Sequence, residues 1–249
     1  MKRLMILLSP FLYLGGGKNQ GEGLNRGKTP SETRGFAVVE LFTSEGCSSC
    51  PRADEAVAKI VKQYDSNVYL LSFHVDYWDR QGWKDAYSNE AYTKRQQVYG
   101  TNFHLSSVYT PQAIVNGGKE VVAGNEKELK EAIGQELSHT TPKNFELATK
   151  NIEGQNITVS YKLEKGNKSI LYIALVQSEA TTDVKNGENA GRQLQHHNIV
   201  RELKTFSRES GTGTLKIPSG LSAKDCRVIG FLQGENNGPI SGAKELKLP

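Results

Sequence analysis

With 249 residues, 37% of them hydrophobic and only 8 prolines, the chain is long enough to bury one large core or two modest ones, and two is the expectation. The formal charge of +4 is mild, and residues 1–17 hold two basic and no acidic residues, so a chain cut after them would carry +2. No basic block points to nucleic acid, and no nucleic-acid partner is expected.

The first segment, Lys2-Arg3 followed by the apolar run from Leu4 to Leu14 with Gly15 and Gly17 behind it, reads as a secretory signal over 1–17. The run is too short to span a bilayer, so no membrane span is expected beyond the signal itself. No cysteine follows to carry a lipid, and an uncleaved anchor is the alternative. Residues 18–34, rich in Gly, Lys, Asn and Glu, read as a flexible linker. Export to the periplasm or the medium would place the cysteines in an oxidising compartment.

Residues 36–42 form a near-continuous apolar run suited to a strand buried on both faces, and the run ends in Gly46-Cys47-Ser48-Ser49-Cys50-Pro51. A C-x-x-C pair also begins zinc sites, but these need a second ligand pair at short spacing. The only other cysteine, Cys226, stands far away with no His or Cys beside it. Pro51 suits the first turn of a helix and places Cys47 at or just before the helix start, where unpaired amides and the helix dipole favour a thiolate. Cys47 is therefore expected to be the attacking thiol. Cys50, one turn on and more buried, would be the resolving one. The neutral Ser48-Ser49 spacer does not set the direction of electron flow.

Ala53, Val57, Ile60, Val61 and Tyr64 recur at helical spacing, and residues 68–75 form a second buried strand, giving a right-handed strand-helix-strand unit. A loop bearing Trp78 and Trp83 leads to a helix over roughly Tyr87 to Tyr99. Residues 109–123 then read as two short strands joined through Asn116-Gly117. Asn125 with Glu128 offers a capping-box-like start to a last helix reaching about Leu137. The order β-α-β-α-β-β-α over residues 35–141 is that of the thioredoxin fold. In that fold a cis-proline facing the disulfide precedes the third core strand, and Pro111 stands at that place. Thr110 would then expose its backbone beside Cys47 for an extended substrate segment. After Pro142 the runs 144–150, 156–163, 169–177, 198–206, 212–217, 226–233 and 240–247 alternate without helical pattern. They predict a separate all-β antiparallel sandwich over residues 142–249.

Glu40, on the strand leading to the pair, is a candidate for the buried carboxylate that relays the proton of the resolving cysteine. His74 and Asp76 end the second strand, at the carboxyl edge where open α/β sheets place ligands, and with Trp78 and Trp83 they are expected to line the cleft. His104 is a weaker candidate. His196, His197, Asn198 and Arg201 read as a structural or docking loop, and Cys226 as a buried small hydrophobe.

The blocks Val39-Glu40-Leu41-Phe42-Thr43-Ser44 with Gly46-Cys47-Ser48-Ser49-Cys50-Pro51, His74-Val75-Asp76-Tyr77-Trp78-Asp79 with Gly82-Trp83-Lys84-Asp85, Arg95-Gln96 with Tyr99, and Val108-Tyr109-Thr110-Pro111-Gln112 carry a resemblance. So does Gly187-Glu188-Asn189 with Gly191-Arg192, Leu194 and His197 to Leu203. In these blocks the chain resembles the exported, thioredoxin-like proteins grouped as domain of unknown function 1223. The resemblance covers about residues 36–249 and implies a secreted or periplasmic bacterial protein of thioredoxin-like fold, without supplying a substrate. Arg52 departs from the second proline common in the family and adds a positive charge near Cys47.

The leading expectation is an exported thiol-disulfide oxidoreductase without a cofactor, acting on protein thiols or disulfides of the cell envelope or on a redox partner. Two other readings stand beside it. One is a copper-binding or delivery protein using Cys47, Cys50 and His74; the other is a non-enzymatic binding protein whose disulfide is structural.

Overall fold

The apolar run that precedes the cysteine pair becomes strand β1 (Ala37–Thr43), every residue of which is buried. Val38 and Phe42 point to one face, Ala37, Val39 and Leu41 to the other, and each set enters a different core. The computed structural model describes residues 35–64, 66–139 and 142–248; the expected signal and linker lie outside them. No helix among the described residues is long and apolar enough to cross a membrane.

β1 pairs in parallel with β2 (Val68–His74), and the crossover between them is helix α1 (Cys50–Val61). Helix α2 (Glu90–Asn102) starts at Asn89, whose side chain accepts from the Ala91 amide, three residues later than the sequence predicts. β3 (Gln112–Val115) and β4 (Lys119–Val122) form the expected hairpin, with Asn116 at φ 46° and Gly117 at φ 66°. Only glycine suits position 117, because a Cβ there would stand 2.4 Å from the Gly238 carbonyl oxygen as well as carrying the positive φ. Asn125 caps α3 (Glu126–His139), its Oδ1 accepting from the Glu128 amide.

Seven strands follow: β5 (Phe145–Glu153), β6 (Asn156–Leu163), β7 (Ile170–Asp183), β8 (Gln193–Phe206), β9 (Ser210–Lys216), β10 (Cys226–Gln233) and β11 (Ile240–Lys247). They lie close to the runs read from the sequence, but their arrangement corrects the expected fold class. With 43% strand, 21% helix and three α-helices among the described residues, the protein is mostly β. β7, β8, β10 and β11 do not make a separate sandwich behind a self-contained thioredoxin-like α/β domain. They continue the sheet of β1 to β4 into one mixed sheet ordered β11-β10-β7-β8-β2-β1-β3-β4. β5, β6 and β9 form a three-stranded sheet of their own.

The junction is a parallel bridge between Ser72 of β2 and Ile199 of β8, and the physical reason for the join lies in burial. From Leu171 to Val176 strand β7 is buried on both faces. Tyr172, Ala174 and Val176 enter the core shared with Phe42, Phe73, Tyr92 and Tyr99. Leu171, Ile173 and Leu175 face the small sheet, and Cys226, free and buried, sits in that second core as a small hydrophobe. α1 and α3 cover the other face of β1 to β3.

A buried ion pair ties these parts together. Arg95 of α2 donates from Nε to Glu40 Oε2 at 2.5 Å and from Nη2 to Glu40 Oε1 at 2.9 Å. It also reaches Gln233 Oε1 and Asn237 Oδ1, beyond β10, at 2.7 and 3.0 Å. Its guanidinium lies 5.0–5.7 Å from the ring centres of Phe73, Tyr99, Tyr172 and Phe231. Burial alone would lower the Arg95 pKa, but the Glu40 carboxylate outweighs it and raises it, so the guanidinium stays charged.

Glu40→Gln should destabilise the protein by about 3–5 kcal/mol, because it strands the buried guanidinium. Urea unfolding should also give coincident transitions by tryptophan fluorescence, which reports the loop of Trp78 and Trp83, and by far-ultraviolet circular dichroism of the strands. Separated transitions would mean that the later strands fold on their own.

Candidate functional site

The carboxyl ends of the parallel strands β1 and β2 lie side by side, Thr43 opposite His74, and the loops leaving them build the site. Cys47 and Cys50 form a disulfide with Cα atoms 5.4 Å apart. Helix α1 begins at Cys50, so Cys47 belongs to the turn before it, and the Cys50 amide donates to the Cys47 carbonyl at 3.2 Å. The sequence led to a Cys50 more buried than Cys47. In the structure both are sealed, at 1% and 0% exposure.

The Thr110–Pro111 bond is cis, as expected, and the Thr110 carbonyl oxygen lies 3.9 Å from Cys47 Sγ. Trp78 Nε1 donates to Thr110 Oγ1 at 2.8 Å, so one expected cleft residue orients another. Trp83 Nε1 donates to Glu45 Oε2 at 2.7 Å, next to the cysteine turn.

His74 lies behind this surface, its Nδ1 2.7 Å from Asp85 Oδ2, which also accepts from the Glu45 amide at 2.9 Å. Burial would lower the His74 pKa, but the Asp85 charge and hydrogen bond raise it overall. Burial likewise works to raise Asp85, yet the His74 charge holds it low. The histidine is therefore committed to a buried ion pair. Two expected residues are engaged by other partners. Asp76 accepts from Thr93 Oγ1 at 2.6 Å and fastens the start of α2. Glu40 has both oxygens occupied by Arg95, with Tyr99 donating to Oε1, which commits it to the core. His104 is exposed in the loop after α2.

Several site residues escaped sequence reasoning. Asp54, one turn after Cys50 on α1, is buried and accepts from Thr43 Oγ1 through both oxygens, at 2.8 and 2.7 Å. Burial raises its pKa from 3.8 to about 6, against the Thr43 hydrogen bond and the charges of His74 and His196. His196, read from the sequence as part of a structural or docking loop, places Nε2 3.1 Å from Glu45 Oε1 and its ring 5.1 Å from that of His74. A buried group of Glu45, Asp54, His74, Asp85 and His196 thus backs the disulfide. Among the described residues, no three His, Cys, Asp or Glu side chains are grouped to hold a metal ion.

The turn between β7 and β8 is fastened to the cysteine loop. Asn189 Nδ2 donates to the carbonyls of Glu45 and Cys47 at 2.8 and 3.0 Å, and Arg192 Nη1 holds Asn189 Oδ1 at 2.6 Å. Glu188 Oε2 accepts from the Ser48 amide at 3.0 Å, a contact that holds its pKa low. Gly187, at φ 76°, packs where a Cβ would stand 3.2 Å from Trp83 Cβ. The signal for these residues was present in the sequence, since Trp83-Lys84-Asp85 and Gly187-Glu188-Asn189 belong to the blocks that carry the family resemblance.

Residues 38–233 match the family described as "Protein of unknown function (DUF1223)". The chain belongs to the DUF1223 family. Among solved structures, this family member is similar to protein AGR_C_4864 from Agrobacterium tumefaciens, at 30% identity and a TM-score of 0.62, over 84% of this chain and 93% of that one. HBP35 of Porphyromonas gingivalis shares the fold at 18% identity and a TM-score of 0.62, over 87% of this chain and 76% of that one. No curated protein matches the chain.

Asn189→Ala should speed reduction of the Cys47–Cys50 disulfide by dithiothreitol about tenfold or more, read as the alkylation mass shift against time. An unchanged rate would show that this turn does not control access. For Asp54, a carboxyl with a raised folded-state pKa favours the folded state while protonated and penalises it once ionised. Its stabilising effect is therefore lost as pH rises from 3.8 to about 6. Asp54→Asn should accordingly raise stability by about 1–3 kcal/mol at pH 7 and leave it unchanged below about pH 4. Denaturant unfolding at the two pH values checks this.

Proposed function

We propose that the protein is an exported thiol-disulfide exchange protein acting on protein thiols or disulfides of the cell envelope through Cys47 and Cys50. The observation that carries this reading is the pairing of a disulfide at the start of α1 with the Thr110-Pro111 segment 3.9 Å from Cys47 Sγ. A substrate thiolate attacks Cys47 Sγ, the Cys47–Cys50 bond breaks, and Cys50 leaves as a thiolate. A second substrate thiolate then attacks the substrate sulfur of the mixed disulfide and releases Cys47 as a thiolate. The substrate is thereby oxidised by two electrons and the pair reduced. In reverse, the Cys47 thiolate attacks a substrate disulfide and Cys50 resolves it.

Thr110, Pro111, Trp78 and Trp83 form the docking rim in this proposal, and His74 supports it through Asp85. Asp54 takes the proton-holding role first considered for Glu40. It lies on α1 one turn from Cys50, and a pKa of about 6 lets it give or accept a proton near neutral pH. Arg52, exposed beside Ser49, adds a positive charge to the rim. An oxidised pair suits an exported protein in an oxidising compartment.

A second reading, a binding protein with a structural disulfide, is favoured by one observation: Cys47 is buried, with its carbonyl held by Asn189. The copper reading has no such support, since among the described residues no three His, Cys, Asp or Glu side chains are grouped to hold a metal ion.

Equilibration in graded glutathione buffers separates the two. Exchange predicts a reversible transition of the pair above about −300 mV, and mixed disulfides trapped by Cys50→Ser through Cys47. A pair that stays oxidised throughout, with no trapped partner, would establish the structural reading.

A further inference from the structure

On β8, His197 and Asn198 precede the bridge to β2, where Ser72 Oγ donates to the His197 carbonyl at 2.7 Å. The two strands meet at that bridge, and beside it, between the end of α1 and strands β7, β10 and β11, a cavity of about 570 Å³ opens. This size is ordinary for small-molecule sites, which run from roughly 300 to 1,000 Å³. Its polar lining includes Lys62, Glu179, His197, Asn198, Arg227 and Glu245.

Three of these residues carry a buried polar atom with no hydrogen-bond partner: His197 Nδ1, Asn198 Oδ1 and Arg227 Nε. The nearest candidate for His197 Nδ1, Glu179 Oε1, is 3.7 Å away, beyond hydrogen-bond range. Each such group costs about 1–3 kcal/mol when left unsatisfied, and three of them fall in residues around one cavity. Asn198 also holds φ at 54° inside a strand, a conformation that non-glycine residues take up where the surroundings impose it.

The rim charges indicate what that partner is. Lys62 Nζ stands 3.8 Å from Glu179 Oε1, and Arg227 Nη1 stands 3.7 Å from Glu245 Oε2. Neither pair is in hydrogen-bond contact, so each charge is open to a ligand. Burial, with the Lys62 charge, lowers the His197 pKa and keeps its ring neutral at neutral pH. Two cations and two carboxylates cancel, so a simple anion or cation gains little, whereas a molecule bearing both charges can meet both.

We infer that this cavity binds a small zwitterion of amino-acid to dipeptide size. Its carboxylate would pair with Arg227 and Lys62, and its ammonium with Glu245, Glu179 and the Asn198 amide oxygen. The site lies apart from the disulfide and does not depend on the redox reading.

Calorimetric titration of the protein with free leucine, glycyl-leucine and the uncharged N-acetyl-glycyl-leucine amide tests this. Saturable binding of at least one zwitterion is expected, with the blocked dipeptide weaker by about tenfold or more. Asn198→Gly relieves the positive φ and removes the acceptor, so its melting temperature should hold or rise while affinity falls about tenfold. Arg227→Gln should weaken the carboxylate in the same way. Absence of binding by both zwitterions up to about 10 mM would overturn the inference. So would equal binding of the blocked dipeptide, or wild-type affinity in both variants.

Discussion

The buried Glu40–Arg95 pair is the constraint on which the rest of the structure depends. A guanidinium taken out of water is tolerated only if its donors are met, and here they are met from two other parts of the chain. Glu40 lies on the strand that leads to the cysteines, Arg95 on the helix that covers the core, and Gln233 and Asn237 at the end of β10. Four aromatic rings from both halves of the chain surround the same group. None of these elements can shift without stranding a charge, so the early α/β segment and the later strands behave as one body.

That union also shapes the site. Because β8 continues the sheet beyond β2, the turn between β7 and β8 reaches the cysteine loop, and the Asn189 side chain fastens it to the carbonyls of Glu45 and Cys47. His196 comes from the same strand and joins the buried acids behind the disulfide. The later half of the chain therefore supplies both this fastening and part of the interior of a site whose sulfur chemistry comes from the earlier half. A buried carboxyl such as Asp54, kept partly protonated near neutral pH at a cost in stability, is the kind of concession that functional sites make.

Much of this was legible locally. Alternating and continuous apolar runs placed the strands close to their observed positions, Asn116-Gly117 announced its turn, and Pro111 its cis bond. The partners of buried charges were not legible, because Glu40 and Arg95 lie 55 residues apart and Glu45 and His196 151 apart. No period or spacing encodes contacts across such separations. Glu40 looked like the buried acid of a redox site because it is an acid in an apolar strand, while nothing local singled out Asp54.

By itself the sequence determined which segments become strands and helices, where the cysteine pair sits, and which family the chain belongs to, because these depend on local pattern and motif. Only the tertiary structure decided that the later strands join the first sheet rather than forming a sandwich, that Cys47 is buried, and that Glu40 pairs with Arg95 while Asp54 is buried against Thr43. Those outcomes are set by which buried faces and charges find each other, a competition among distant partners that no single segment carries.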